Sequence, residues 1–235
     1  NFLSEKGFEE HITWNNLYEK VCKFSNYLKK LSLKKGDRVA AYVPNKIETI
    51  ISFLACAKNG IIWSSCSPDF GAQGVVDRFK QIEPKVLITS DYYFYNGKKI
   101  NILDKVDEVL KEIPSIEKII VYNYNKKEKE NLKNFIDFEE TLNIVSDETF
   151  ERFEFNHPIY ILFSSGTTGK PKCITHGTGN VLIEHNKEFM LHCDIRDNER
   201  LFYYTTTGWM MWNWLVGGLA TGSSIFLFDG APVYP

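Results

Sequence analysis

The order of helical and strand patterns along the chain predicts an α/β fold whose mostly parallel sheets are flanked by helices. Helical spacing is clearest over residues 14–31, where apolar side chains recur behind Thr13, a residue type typical of N-caps. A second observation is the continuous apolar run at residues 159–163, a pattern typical of strands covered on both faces. With 235 residues and 43% hydrophobic content, the chain can bury a sizeable core.

The remaining elements alternate in the same way from residue 38 onward. Further helices are predicted over residues 47–58, 74–82, 102–113, 180–191 and 209–219. Further strands are predicted over residues 38–43, 61–65, 85–89, 118–122, 201–205 and 224–228. Residues 123–133 are charged and lack apolar periodicity, so they predict a surface loop.

Composition and charge exclude several functional classes. A formal net charge of −2 argues against a dedicated nucleic-acid binder, which carries a basic excess. No apolar run approaches the roughly 20 residues that a membrane helix needs, so no membrane insertion is expected. The five cysteines are scattered without a C-x-x-C pair, which favours reduced thiols and a cytoplasmic location. Small molecules are therefore the expected partners, and the oligomeric state stays open.

Residues 164–172 combine the side chains and backbone that phosphate groups require. Hydroxyls and free N–H groups donate to phosphate oxygens, glycines permit close approach of the main chain, and lysines supply positive charge. The segment consists of Ser164, Ser165, Gly166, Thr167, Thr168, Gly169, Lys170, Pro171 and Lys172. Its spacing fits neither a Walker A loop nor a Rossmann G-x-G-x-x-G. A polar linker is the alternative, but it explains neither the preceding strand nor the K-P-K ending.

Residues 205–214, read TTTGWMMWNW, form a second candidate site. Threonines and Gly208 precede the aromatic cluster, so a strand end meets a helix start, the edge at which doubly wound sheets bind ligands. Tryptophan and methionine side chains could wall a small acyl group. The alternative is a helix that packs these side chains into the core. Both interpretations stay open, and the pocket candidates nearest the turn are Trp209, Met210 and Met211.

Other clusters give weaker signals. Lys98 belongs to a lysine pair that could bind phosphate, although such pairs are common on surfaces. Residues 64–71 and 91–99 are otherwise typical of surface turns. The histidines and Cys193 show no zinc spacing, so no metal site is predicted, and His176 shortly after the loop is the histidine with the best claim to a site. A G-x-S-x-G nucleophile elbow is absent from the sequence.

Several longer stretches resemble the adenylate-forming family of acyl-CoA synthetases, in addition to the loop and its strand at residues 161–172. They are GDRVAAYVPN (36–45), WSSCSPDFG (63–71), DRFKQIEPKVL (77–87), LHCD (191–194) and residues 204–235. The wording of residues 63–71 and 205–213 is most similar to the members that act on acetoacetate. The resemblance covers nearly the whole chain apart from charged segments such as 123–134.

The resemblance implies a two-step reaction and the fold of the large N-terminal domain of an adenylate-forming enzyme. Acetoacetate would attack the α-phosphorus of ATP, with release of pyrophosphate, and the thiol of coenzyme A would then displace AMP. Mg²⁺ would neutralise the phosphates. Residues 1–235 lack the family's later motifs and small C-terminal domain, so the resemblance predicts an incomplete N-terminal domain without turnover of its own. The alternatives are a synthetase for acetate, propionate or another short acid, and a non-catalytic nucleotide-binding module.

The resemblance also implies roles for individual residues. Residues 164–172 would hold the β- and γ-phosphates of ATP, with Thr167 and Lys172 as the catalytic residues. Residues 209–211 would wall the acyl pocket. The residues implied to contact coenzyme A are Lys98, Tyr95 and Asp69. Tyr95 departs from the family pattern, because related synthetases place an arginine there.

Overall fold

A seven-stranded sheet forms the centre of the computed structural model, which describes residues 1–127, 135–164 and 169–234. Across this sheet the strands are β11 (Lys172–Gly177), β10 (Pro158–Ser164), β4 (Ile62–Cys66), β3 (Arg38–Tyr42), β5 (Val86–Ser90), β8 (Lys118–Tyr122) and β9 (Ile136–Asp137). The pairs are parallel except for β10 with β11 at one edge. The predicted α/β class with a mostly parallel sheet is confirmed.

A smaller sheet and a hairpin contain the other described strands. The smaller sheet has the order β12 (Arg200–Phe202), β13 (Ser224–Asp229), β1 (Phe2–Ser4) and β2 (Glu9–Glu10). Here β13 pairs in parallel with both β12 and β1, and β2 is antiparallel to β1. The hairpin consists of β6 (Tyr92–Tyr95) and β7 (Lys98–Asn101).

Helices cover the faces of the sheets, as the alternation of patterns predicts. They are α1 (Trp14–Lys30), α2 (Ile47–Lys58), α3 (Ala72–Phe79), α4 (Leu103–Glu112), α5 (Phe138–Thr141), α6 (Thr178–Lys187) and α7 (Met210–Gly217). Helix α6 continues as a π-helical turn, Glu188–His192, and α7 as a 3₁₀ turn, Gly218–Thr221. The predicted helices over 180–191 and 209–219 are therefore present, with irregular last turns.

The core lies on both sides of the central strands. Every residue of β4 and β5 is buried, as expected for parallel strands that helices cover on both faces. Helix α1 begins as predicted, because Oγ1 of Thr13 accepts a hydrogen bond from the backbone N–H of Asn16 at 3.3 Å. Its buried face points to α2, and the residues on that face include Leu17, Val21, Phe24 and Leu28.

Two expectations around the phosphate loop are wrong. The apolar run at 159–163 predicts a strand covered on both faces, but only Tyr160 and Ile161 of β10 are buried. The reason is position, because β10 is second from the edge and its neighbour β11 is largely exposed. No strand is predicted between the loop and the next helix, yet β11 pairs with β10 along its length. The loop therefore joins two antiparallel strands, not a strand and a helix.

The predicted surface loop at residues 123–133 is described only in part, because residues 128–134 lie outside the described residues. In the ranges that the structure does describe, no helix has both the length and the apolar character to cross a membrane.

Candidate active site

The ends of the phosphate loop are fixed by the pairing of β10 with β11. Ser164, the last residue of β10, pairs with Lys172, the first residue of β11. Gly169, Lys170 and Lys172 are exposed, so both lysines of the loop present their charges to solvent. The predicted phosphate ligands Ser165, Gly166, Thr167 and Thr168 lie outside the described residues. The structure therefore places the loop's boundaries and its lysines.

Side chains from two neighbouring elements hold these boundaries. Oγ of Ser64 in β4 donates to the carbonyl oxygen of Ile161 at 2.8 Å, which ties β10 to the centre of the sheet. Nε2 of Gln81 donates to the carbonyl oxygen of Pro171 at 2.9 Å. The rings of Tyr160 and His176 face each other across the hairpin, with centroids 4.9 Å apart. Burial lowers the pKa of His176, which favours its neutral form at this position.

The turn before α7 is bonded to the carboxyl ends of the central strands. Oγ1 of Thr207 donates to the carbonyl oxygen of Val43 at 2.7 Å, and Oγ of Ser65 donates to that of Thr207 at 2.6 Å. A Cβ on Gly208 would lie 3.2 Å from the backbone nitrogen of Ser67, so a larger residue would force the turn away from β4. The T-T-T-G sequence therefore allows the start of α7 to sit directly at the end of the sheet.

The aromatic cluster that follows divides between core and surface. Trp212 is fully buried, stacks on Trp63 with ring centroids 6.3 Å apart, and donates from Nε1 to Oδ1 of Asn45 at 2.9 Å. In contrast, Trp209 is 63% exposed and Met210 is 48% exposed. The core interpretation is thus confirmed for Trp212, and the pocket interpretation stays a prediction for the first residues of the segment. Those nearest the turn, including the half-buried Met211, are accessible, and the later tryptophans pack inside.

A cavity of about 110 Å³ lies where the carboxyl ends of strands from both sheets meet. In α/β proteins this edge is the usual place for ligands. The loop after β4, the β6–β7 hairpin and the turn before α7 all contribute to its walls. It brings together Asp69, Tyr95 and Trp209, three of the predicted site residues. Lys98 is the direct partner of Tyr95 across the hairpin. The hairpin that forms one wall of the cavity therefore also carries the positive charge of Lys98.

The hairpin itself is a feature that sequence reasoning missed. Asn96 and Gly97 link its strands with φ values of 50° and 78°, which fits the tight two-residue turn that joins antiparallel strands. The Asn-Gly pair between aromatic and apolar residues was the available signal. The 91–99 segment is therefore an ordered hairpin that presents Tyr95 and Lys98 side by side.

Asp229 is a second residue that the sequence analysis did not single out. It is buried at the end of β13 and lines the cavity. Burial raises the pKa of its carboxyl group from 3.8 to about 7, although the hydroxyl of Tyr124, which donates to Oδ2 at 2.8 Å, and the charge of Lys46 both oppose that rise. A wall of the cavity therefore changes its charge near neutral pH.

Among the ranges 1–127, 135–164 and 169–234, no group of three or more histidine, cysteine, aspartate or glutamate side chains could hold a metal ion. All five cysteines carry free thiols, of which Cys173 and Cys193 are exposed.

Fold and site together define an α/β domain in which a Ser/Thr/Gly/Lys segment follows a strand of a mostly parallel sheet. The profile of the family described as AMP-binding enzyme matches residues 2–235. The chain therefore belongs to the AMP-binding enzyme family.

Several proteins similar to this chain, and one solved structure, are described as acetoacetyl-CoA synthetases. The acetoacetyl-coenzyme A synthetase of Rhizobium meliloti is 47% identical over 241 residues, and the acetoacetyl-CoA synthetase of Gallus gallus is 42% identical over 245 residues; each match covers 100% of this chain. A solved structure, acetoacetyl-CoA synthetase from Streptomyces lividans, matches with a TM-score of 0.95 and 41% identity over 100% of this chain. The chain spans 36% of the length of the first and third proteins and 37% of the second.

Proposed function

We propose that the full-length protein containing this chain is an ATP-dependent acid–thiol ligase that activates acetoacetate. The carboxylate attacks the α-phosphorus of ATP and displaces pyrophosphate; the thiol sulfur of coenzyme A then attacks the acyl carbon and displaces AMP. The observation that supports this most is the similarity along the whole chain to relatives named acetoacetyl-CoA synthetase. In this proposal residues 1–235 contribute part of the N-terminal adenylation domain.

The loop at residues 164–172 is proposed to hold the β- and γ-phosphates. Its exposed Lys170 and Lys172 supply two positive charges at the end of β10, and Ser164 supplies a hydroxyl beside them. Two anions must approach each other in the first step, and fixed cations reduce their repulsion. We assign Lys172 and Thr167 the catalytic roles in this step. Lys172 has the firmer support, since it starts a paired strand.

The exposed side chains at the start of α7 are proposed to form the acyl wall. Trp209 and Met210 are accessible, although the surrounding residues of the helix are apolar enough for the core. A rigid aromatic face beside flexible thioethers suits a short acyl chain. Met211 lies one position further into the helix and is half-buried, so it would close the wall from inside.

The cavity beside Trp209 is proposed to receive the thiol end of coenzyme A. Asp69 and Tyr95 line it, and Lys98 stands next to Tyr95 at the outer face of the hairpin. In this arrangement Trp209 belongs to both the acyl wall and the wall of the thiol site. The nucleotide end of coenzyme A would remain outside the cavity, where the positive charge of Lys98 would contact its phosphates.

The proposal for the full-length protein also includes Mg²⁺ as a cofactor and a location in the cytoplasm. The described residues do not fit a magnesium site, because they contain no acidic cluster able to hold the ion, so none of them is assigned to it. Free thiols at all five cysteines support a cytoplasmic location. Small molecules are the proposed partners.

The products of ATP cleavage test this function. The full-length protein is incubated with ATP, Mg²⁺, acetoacetate and coenzyme A, and the nucleotides are separated by chromatography. We expect AMP and pyrophosphate in equal amounts with acetoacetyl-CoA, and none of the three without the acid. Formation of ADP and phosphate, or AMP release without thioester, would contradict the proposed reaction.

A further inference from the structure

Glu5 connects three segments of the chain that the sequence separates widely. Its carboxylate accepts hydrogen bonds from the backbone N–H groups of Asn96 at 3.0 Å, Gly97 at 2.7 Å and Ala231 at 2.8 Å. The first two belong to the turn of the β6–β7 hairpin, and the third follows β13. Its own backbone N–H donates to the carbonyl oxygen of Asp229 at 2.9 Å. A single side chain therefore fixes the hairpin turn against the end of the smaller sheet.

The neighbouring residues are shaped to let Glu5 reach these amides. A Cβ on Gly230, whose φ is +136°, would lie 2.5 Å from the Cβ of Glu5, so only glycine leaves room for it. On the other side of the turn, the ring of Tyr234 packs against Gly97, where a Cβ would lie 2.8 Å from the hydroxyl oxygen. Asp229 itself holds Tyr124 through its carboxylate. Glu5 and Tyr234 thus enclose the turn of the hairpin from two sides.

The turn held in this way carries the residues assigned to coenzyme A. Tyr95 immediately precedes Asn96, Lys98 immediately follows Gly97, and the two are paired across the hairpin. Hydrogen bonds that backbone N–H groups donate to a carboxylate are stronger than those between neutral groups. Without them the two-residue turn would lose its hydrogen bonds to Glu5, while β6 would keep its packing on Tyr124 through Tyr92 and Phe94.

We propose that Glu5 is a positioning residue for coenzyme A, acting through the hairpin turn on Tyr95 and Lys98. This inference rests on the proposed function for the thiol substrate. The hydrogen bonds of Glu5 that the structure describes go to the hairpin turn and to Ala231 and not to the described part of the phosphate loop, so the adenylation step should be independent of Glu5. Its effect should be largest at the nucleotide end of coenzyme A, because Lys98 is the charged group next to the turn, and smaller at the thiol end, where Tyr95 lines the cavity.

The test measures binding of two thiols to the full-length protein by titration calorimetry. The variants are Glu5→Ala and Glu5→Gln, which keeps one acceptor oxygen. The matched control is Glu151→Ala, an exposed glutamate without a hydrogen bond or ion pair to the described residues. The thiols are coenzyme A and pantetheine, which lacks the nucleotide phosphates. Acid-dependent ATP–pyrophosphate exchange is measured on the same proteins.

We expect Glu5→Ala to weaken coenzyme A binding by about three- to tenfold, with Glu5→Gln between it and the wild type. Pantetheine binding should fall less than coenzyme A binding, because pantetheine reaches Tyr95 and lacks the phosphates that would meet Lys98. Exchange activity and the Glu151→Ala control should remain at the wild-type level. An unchanged affinity for coenzyme A, or equal losses for coenzyme A and pantetheine, would overturn the inference. Wild-type protein that binds coenzyme A without any exchange activity would refute the proposed function alone, and wild-type protein that binds no coenzyme A would refute both.

Discussion

Trp209 and Trp212 lie three residues apart, yet their environments predict opposite effects of the same substitution. Trp209→Ala removes a side chain that is 63% exposed, so we expect a change in folding stability within about 0.5 kcal/mol. Trp212→Ala leaves a cavity beside Trp63 and removes the donor to Oδ1 of Asn45, and should cost about 3–5 kcal/mol. Thermal unfolding of the full-length variants measures both.

The same two substitutions should have the opposite order of effects on substrate preference. Trp209→Ala should lower ATP–pyrophosphate exchange with acetoacetate and reduce the preference among short acids, because the acyl wall is gone. Any folded fraction of Trp212→Ala should keep the wild-type preference. Acid preference that is unchanged in Trp209→Ala would contradict its assignment to the acyl pocket.

Asp229 gives the stability of the protein a pH dependence whose sign follows from its raised pKa. The folded state holds the proton up to pH about 7, whereas the unfolded chain releases it near 3.8. The free energy of unfolding therefore falls as the pH rises through this interval, by roughly 4 kcal/mol at most. Asp229→Asn should lose this contribution, so wild type and variant should diverge between about pH 4 and pH 8.

Denaturant unfolding of the full-length protein at several pH values measures this difference. Asp69→Asn is the control, because Asp69 is an exposed carboxylate in the wall of the same cavity. Parallel pH profiles for wild type and Asp229→Asn would show that the buried carboxyl does not titrate as described.

At the scale of elements, the β6–β7 hairpin depends on its turn residues. Gly97→Ala places a Cβ at a φ of +78° and 2.8 Å from the hydroxyl oxygen of Tyr234, so it should cost about 1–2 kcal/mol locally. We expect faster hydrogen exchange of the amides of residues 96–98 and weaker coenzyme A binding. Gly74→Ala is the control, because its Cβ would make only ordinary contacts in α3. Equal exchange rates in both variants would refute the role of this turn.

Helices and central strands could be predicted from the sequence because local pattern and burial agree there. The helical spacing of apolar residues after Thr13 predicts α1. Short apolar stretches at residues 61–63 and 86–88 predict β4 and β5, which are buried throughout. Edge elements were missed. The exposed β11 has no apolar run of its own, and β6 with β7 were obscured by lysines although Asn96 and Gly97 carry the turn signal.

The candidate site could be predicted only where one segment supplies the chemistry. The phosphate loop and the Trp-Met segment are each continuous in sequence, so their residues could be named. The roles of Glu5 and Asp229 could not, because their partners lie 91 to 226 residues away and are backbone groups or a tyrosine hydroxyl. Backbone donors leave no trace in the residue types of the sequence.

At the scale of the whole molecule, two sheets share one functional edge. Asn45 after β3 donates from Nδ2 to the carbonyl oxygen of Phe228 in β13 at 3.4 Å and accepts from Trp212. These bonds hold β13 and α7 against the segment that follows β3, beside the proposed acyl wall and the cavity proposed for coenzyme A. Under the proposed function, the same edge of the sheets serves both steps: adenylation of the acid by ATP, and then transfer of the acyl group to the thiol.

The most direct test is acid-dependent ATP–pyrophosphate exchange by the full-length protein, with acetoacetate, acetate, propionate and butyrate compared under identical conditions. We predict exchange with each accepted acid in the absence of coenzyme A, strongest with acetoacetate. Strongest exchange with another acid would keep the adenylation mechanism and contradict the substrate. No exchange with any of the four acids would contradict the central claim that this fold activates a short carboxylic acid.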